Sequence, residues 1–408
     1  MEIIADLQVH SKHSRATSRN LSIENLEKFG KIKGLNLIGT GDFQHPLHRK
    51  EIDEKLKEDN KGILWTKKKN VAFLWQTEIS LMYKQGDKRR AVHLLIFAPN
   101  AKVADKITNY LGSKGRLDYD GRPIFGISCR DVVKDLKKID MMIEIIPAHC
   151  MTPWFGIFGS KSGFDSLEEA FGDQFKHIYA IESGMSADPA MLWRFNEVAS
   201  GRINVVSFSD AHSHWPWRLG REATIFDIEE LSYEKIINSI RTGEGIKATI
   251  ETPPEYGKYH WDGHRNCNFF CNPKKTKELE SKCPKCGNFL TIGVDYRVDE
   301  IAEKEIGFKP ERFNHFYKIL PLHELIVMVG DNGIASKGNW EIYNSLISKF
   351  DNELNILLKV SKENLLKEEI NDKLVKLIIR NRAGTIKVSP GYDGVYGKAI
   401  LSEQKTLF

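Results

Sequence analysis

Along the first 250 positions, short apolar runs alternate with segments whose apolar residues recur at helical spacing. The runs IIADLQV (3–9), LNLIGTG (35–41), VAFLWQTEI (71–79), AVHLLIFA (91–98), MMIEIIPA (141–148), HIYAIES (177–183) and INVVSFS (203–209) predict strands. The stretches SIENLEKFGKIKG (22–34), CRDVVKDLKKI (129–139), DSLEEAFGDQF (165–175) and DPAMLWRFNEVAS (188–200) predict helices, several opened by Ser or Asp at the N-cap. Such alternation predicts parallel strands joined through βα units. Seven strands of this kind predict an α/β fold with a distorted barrel.

The pattern then changes twice. PPEYGKYHWDGH (253–264) has no clear period and reads as a linker, and a small cysteine module follows it. From about 299 the periodicity is helical, through WEIYNSLISKF and KENLLKEEINDKLVKLIIRNR. The expected division is therefore a barrel over 1–252, a linker and metal module over 253–298, a helical domain over 299–400 and a tail over 401–408. No run approaches the roughly 18 apolar residues of a membrane span. The N-terminus shows no basic segment followed by an apolar one, so no membrane partner and a cytoplasmic location are expected. Six cysteines in 408 residues are too few for a disulfide scaffold, and in a reducing compartment clustered ones read as metal ligands. A net charge of +5 permits a nucleic-acid partner without demanding one.

Chemistry enters through what sits on the strands. The first carries Gln8 and His10, the second ends at Asp42 with His45 just beyond, the third carries Glu78 and the fourth His93. The fifth ends in His149, the sixth in Glu182 and the seventh in Asp210 and His212. Active sites of α/β barrels gather at such strand ends. On a pleated strand, Asp210 and His212 would share one face. Phosphodiester hydrolysis needs an activated water and neutralised phosphoryl oxygens, which clustered divalent ions supply. The carboxylates and imidazoles named here suffice for two or three ions.

DLQVHS (6–11), GTGDFQHP (39–46), QTEIS (76–80), the His of AVHLLIF, PAHC (147–150) and SDAHS (209–213) resemble the polymerase-and-histidinol-phosphatase (PHP) superfamily. That resemblance implies a distorted βα barrel of PHP type, a trinuclear metal site and phosphoester hydrolysis. Gln8 stands where the pattern has its first His, and Phe43 where a His follows Asp; His45 or His13 would take that second place. RATS (15–18), IESGMSADPAMLWR (181–194), SDAHSHWPWRLGREA (209–223), DGHRNC (262–267), CPKCG (283–287) and PGYDGVYG (390–397) are similar to the endonuclease Q family. The family implies a DNA repair endonuclease cutting on the 5′ side of deaminated bases (hypoxanthine, uracil, xanthine) or abasic sites in double- or single-stranded DNA, with the base flipped out. The implied metal set is Gln8, His10, Asp42, His45, Glu78, His93, His149, Asp210 and His212, holding Zn²⁺ or catalytic Mg²⁺ or Mn²⁺. Glu78, Asp210 and His212 would carry the catalysis, and Glu182 would be a ligand or orient one.

Cys267, Cys271, Cys283 and Cys286 suit a structural Zn²⁺, with His264 as the competing ligand, and Gly287 permits the CPKCG knuckle. For DNA or base binding the candidates are Trp215, Trp217, Arg218 and Arg221 beside the ligands, with Met185 and Ser186 near strand six. The last residues, QKTLF, resemble a sliding-clamp peptide, with Gln404, Leu407 and Phe408 as its contacts. For a repair enzyme the expected location is the nucleoid. Two rival readings are a small-molecule phosphoesterase of PHP type and a non-catalytic DNA-damage binder. A small substrate needs neither the cysteine module nor the helical domain; a binder could dispense with the barrel metals.

Overall fold

The computed structural model of the chain describes residues 1–330, 332–368 and 370–400. Eight strands form its inner ring: β1 (Glu2–Asp6), β2 (Leu37–Gly39), β3 (Ala72–Leu74), β4 (Gln76–Gln85), β5 (Lys88–Phe97), β6 (Glu144–Pro147), β7 (Ala180–Glu182) and β8 (Asn204–Val206). β1, β2 and β3 pair in parallel, as do β7 and β8. Single links close the gaps between ladders: Ala98 N–H donates to Trp75 O at 3.1 Å and Cys150 N–H to Glu182 O at 2.9 Å. A parallel bridge between Val9 and Ala211 brings the last strand back to the first. The result is a distorted α/β ring in place of a regular barrel ladder.

One expectation fails in the middle of the ring. β4 and β5 form a long antiparallel hairpin, and β5 pairs antiparallel with β6. Only Gly86 and Asp87 join β4 to β5, and Gly86 takes a φ of 58°, so the chain reverses in a tight turn with no room for a crossover helix. The alternation along β5 explains its depth: Leu94 and Ile96 join one apolar core while Leu95 and Phe97 join the other. Strands buried on both faces read as continuous apolar runs, which is how the sequence shows them.

The helices start where their caps direct. Ser22 accepts from Asn25 N–H ahead of Ile23–Lys33, and that helix stops at Gly34, whose φ of 100° a side chain would resist. Outside the ring, β9 (Ala223–Asp227) pairs antiparallel with β1, β10 (Ile246–Glu251) with β9, and β11 (His315–Lys318) in parallel with β10. β11 thus comes from the segment expected to be purely helical and extends the first sheet. Helices Leu322–Val329, Lys337–Phe350, Glu353–Leu358, Lys362–Lys367 and Asp372–Arg382 follow it. Among the described residues no helix is long and apolar enough to cross a membrane.

The helical segment is fastened to the ring through a buried ion pair. Lys33 Nζ lies 2.7 Å from Glu353 Oε1, with both side chains at most 1% exposed. Glu353 also accepts from Tyr343 OH at 2.9 Å and Leu322 N–H at 3.0 Å, while Lys33 donates to Pro216 O at 2.8 Å. Beside this pair, His323 packs among Trp217, Trp340 and Tyr343, and neither ring nitrogen is hydrogen-bonded among the described residues. Burial pushes the His323 pKa down to about 4, Glu353 opposing and Lys33 assisting. The folded protein therefore binds fewer protons than the unfolded chain between the ordinary histidine value and that depressed one. Stability is expected to fall as pH drops through this window, by on the order of 2 kcal/mol at pH 5. Urea melts at pH 7 and pH 5 check it: His323→Phe should flatten the slope, and an unaltered slope would refute the assignment.

Candidate metal centre

The ligand-type residues, those just beyond the ends of β1, β6 and β8 and those within β4 and β5, meet in two groups. His10, Asp210 and His212 form one, and Glu78, His93 and His149 the other; in each, the donor atoms lie within 4.8 Å of one another. Glu78 joins them. Its Oε1 is 2.7 Å from His93 Nδ1 and 3.6 Å from His149 Nε2, and its Oε2 is 3.4 Å from His10 Nε2. His10 Nε2 is in turn 3.1 Å from Asp210 Oδ1.

Backbone conformation makes the convergence possible. Asp42, His149 and Asp210 are non-glycine residues in the left-handed region, with φ of 32°, 32° and 48°. Such strain is held only where surrounding structure fixes it, commonly at functional sites. Asp210 and His212 converge by this route and not by strand pleating, because β8 ends at Val206 and both residues lie in the turn beyond it. His212 Nδ1 sits 2.8 Å from Asp210 O within that turn.

The donor set fits divalent ions. His93 Nδ1 and His149 Nε2 face each other at 3.1 Å, an arrangement that two imidazoles satisfy better around a shared cation than by themselves. Gln8 Oε1 is fully buried without a hydrogen-bond partner among the described residues, while Gln8 Nε2 donates to Glu78 Oε2 at 2.8 Å. Burial alone would raise the carboxyl pKa of Glu78, yet Arg122 and the histidines hold it well below the usual carboxylate range. Burial likewise opposes ionisation of Asp210, and His212 and His10 overcome it. Both therefore present charged oxygens.

Asp42 and His45 sit differently from the expectation. Asp42 Oδ1 lies 3.2 Å from His10 Nδ1, and its Oδ2 accepts from Ser11 N–H, Ser11 Oγ and Ser14 Oγ at 2.6–2.8 Å. It orients the His10 ring and leaves Nε2 for a cation. His45 stacks on His13 with centroids 4.5 Å apart and joins neither group. Glu182 turns its oxygens to backbone, accepting from His149 N–H at 2.5 Å, Gly184 N–H at 2.6 Å and Phe208 N–H at 3.2 Å. Burial raises its pKa to about 7 against those bonds and His149. It fixes the His149 backbone.

The candidate DNA contacts divide. Trp217 is 7% exposed against His323 and Trp340, and Trp215 stacks on Trp217 at 5.4 Å. Those rings are engaged in packing, and Arg221 holds Ser209 O through two nitrogens at 3.2 and 3.0 Å. Arg218, Met185 and Ser186 remain half-buried. Gly184, just before Met185, packs against His149. Sequence reasoning missed Phe155, whose ring stacks on His93 at 4.3 Å, and the exposed Trp154 before it. It also missed Arg122, whose Nη1 reaches Glu78 Oε1 at 3.2 Å; the polar, Gly-containing DYDGRP (118–123) offered only a turn signal.

In the cysteine module, His264, Cys267, Cys283 and Cys286 come together, again within 4.8 Å. Cys271 does not: its Sγ contacts Thr276 Oγ1 at 3.3 Å, because it ends the strand Phe269–Cys271 facing the small apolar core. His264 takes its place, 3.3 Å from Cys286 Sγ. Burial opposes ionisation of Cys283, yet backbone N–H groups and His264 bring its pKa down to about 6, toward the thiolate a metal requires. His264→Ala is expected to release about one metal ion per chain while Cys271→Ser retains it, measured by elemental analysis; the reverse result would restore the four-cysteine set. Gln404, Leu407 and Phe408 lie outside the described residues.

Comparison with known proteins places the chain among relatives. Residues 321–385 match the MJ0043 C-terminal domain family. The chain is 32% identical over 265 residues, 63% of its length, to the uncharacterized protein MJ0043 of Methanocaldococcus jannaschii, and spans only 32% of that protein. It is 24% identical to the uncharacterized protein YqxK of Bacillus subtilis over 97% of this chain and 99% of that one. Its structure superposes on the lesion-specific endonuclease PfuEndoQ from Pyrococcus furiosus with a TM-score of 0.87 and 30% identity, covering 99% of this chain and 96% of the other. A structure of endonuclease Q complexed with a 27-mer duplex bearing an abasic lesion at the active site gives the same TM-score of 0.87 and identity of 30%, over 99% and 98% of the two chains.

Proposed function

This chain belongs to the endonuclease Q family, and from that premise we propose that it nicks DNA on the 5′ side of a deaminated base (hypoxanthine, uracil or xanthine) or an abasic site, with the lesion nucleotide turned out of the duplex. It is a metal-dependent DNA repair endonuclease. The observation that carries the reading is the pair of ligand groups joined through Glu78.

His10, Asp210 and His212 would hold one ion; Glu78, His93 and His149, with Gln8 Oε1 beside them, would hold a second. Zn²⁺ suits the imidazole-rich sets, with Mg²⁺ or Mn²⁺ as catalytic alternatives, and Zn²⁺ suits the Cys/His module. Bound there, such ions supply an activated water and neutralise phosphoryl oxygens. The chain's own work is positional. Asp42 holds the His10 ring, Glu182 holds the His149 backbone, and Asp210 presents a charged carboxylate that can orient an attacking water. Met185 and Ser186, which follow the Gly184 packed against His149, are the residues offered to the extruded nucleotide. Residues 1–252 carry the chemistry in this reading, 253–298 the structural zinc and 299–400 support for duplex DNA.

The test is a nicking assay on labelled duplexes with a single deoxyinosine, deoxyuridine or abasic site, with and without chelator. A chelator-sensitive nick 5′ to the lesion is the expected result. Tight lesion-specific binding without a nick would instead make the protein a damage binder, and hydrolysis of small phosphomonoesters alone a phosphatase.

A further inference from the structure

Arg122 stands at the edge of both ligand groups and belongs to neither. Its Nη1 contacts Glu78 Oε1, yet its side chain keeps 23% exposure where that of Glu78 has none. Gln8, His10, His93 and His149 surround the same carboxylate as well. A guanidinium carries five N–H donors in a planar fork, and the Glu78 contact uses one.

The loop that delivers Arg122 is built to reach this place. Asp120 Oδ1 accepts from Arg122 N–H at 3.0 Å and from Arg15 N–H at 3.3 Å, and its Oδ2 pairs with Arg15 Nε at 3.1 Å. Gly121 N–H donates to His13 O at 3.0 Å, and Gln44 Nε2 donates to Gly121 O at 2.6 Å. A Cβ on Gly121 would overlap the Asp42 carboxylate and Ser14 Oγ, so only glycine admits the loop this close to the ligands. The acid clips the loop to the motif that carries His10, the glycine lets it approach, and the arginine faces the centre.

Charge completes the case. Asp42 is engaged by His10, Ser11 and Ser14, which leaves Glu78 and Asp210 as the carboxylates among the two ligand groups. Two divalent ions would already exceed their charge, and Arg122 adds to the excess. An anion must balance it, and a phosphodiester presents paired oxygens to a planar fork.

We propose that Arg122 is a catalytic residue that binds a non-bridging oxygen of the scissile phosphate and stabilises the negative charge that builds there. In the step it serves, a water oxygen bonds to phosphorus, one bridging P–O bond breaks, and the departing oxygen ends protonated while the water gives up a proton. The proposal rests on the endonuclease reading and extends it to a residue outside the ligand set.

Arg122→Ala and Arg122→Lys, compared with the intact protein on an abasic duplex, decide it. Arg122→Ala should lose about 10²–10³-fold in kcat, as for removal of one preorganised donor, with metal content by elemental analysis unchanged. Arg122→Lys, which keeps the charge and fold of the loop, should fall between, because a point charge lacks the fork. Fluorescence anisotropy in chelator gives a second reading without metal or turnover: Arg122→Ala should bind the labelled duplex about 10- to 100-fold more weakly, as for one lost charge-assisted hydrogen bond. An unchanged kcat overturns the proposal. So does a loss of kcat that follows metal loss ion for ion, which would make Arg122 a counter-ion of Glu78. If the intact protein binds the duplex but never nicks, the endonuclease reading fails, while weaker binding by Arg122→Ala would still place the arginine on phosphate.

Discussion

Glu78→Gln is expected to abolish nicking, lowering the rate by at least about three orders of magnitude, roughly 4 kcal/mol of barrier. The substitution is isosteric and leaves the strand packing alone, so the loss isolates charge and donor type. Glu78 contacts both ligand groups, touching His93 and His149 through Oε1 and His10 through Oε2. An amide cannot serve both sides, and an NH₂ turned toward Arg122 or Gln8 Nε2 opposes donor to donor. Elemental analysis of the variant should show less metal. His45→Gln is the control. Its ring stacks on His13 outside both groups, so nicking should stay within about tenfold. Equal losses in both variants would defeat the assignment of two groups joined at Glu78.

Glu353→Ala should cost about 3–5 kcal/mol, because it leaves the Lys33 ammonium buried and unpaired. The apparent melting temperature should drop by about 5–15 °C. Tyr343 OH and Leu322 N–H lose their acceptor in the same change. The double variant Lys33→Met/Glu353→Leu should recover most of the stability, since removing both charges removes the unpaired one. Activity should track folding, because Lys33 also holds Pro216 O in the segment that leads from His212 into the aromatic cluster. A Glu353→Ala protein that melts like the parent would mean that water reaches Lys33 and the seam is not closed.

Much of this was legible in the sequence, for identifiable reasons. Apolar runs marked the inner strands because those are buried on both faces, and Ser and Gly marked the ends of Ile23–Lys33 through their caps. Ligand-type residues were visible because they recur on or just after successive inner strands. What the sequence hid was decided by partners. Asp42 reads like Asp210, but Ser11 and Ser14 occupy one of its oxygens and His10 the other. Cys271 reads like Cys267, but its strand turns it toward Thr276. Trp217 reads as an exposed platform beside the ligands until His323 and Trp340, more than a hundred residues on, cover it. Arg122 lies in a loop with no period at all, and its approach is fixed by a missing side chain at Gly121.

The outermost strand of the first sheet has a consequence for how the protein is made. β11 pairs with β10 over Ala248–His315 to Glu251–Lys318, across the whole cysteine module. A ribosome releasing this chain therefore exposes β10 as an open edge until some sixty further residues have emerged. In that interval the nascent protein has its ligand-bearing strands in hand but an unpaired strand at its border, the kind of edge that recruits other chains. Filling the cysteine module with metal during synthesis would shorten the tether between the two strands and hasten the edge's closure. Metal supply would then govern the yield of folded protein as well as its chemistry.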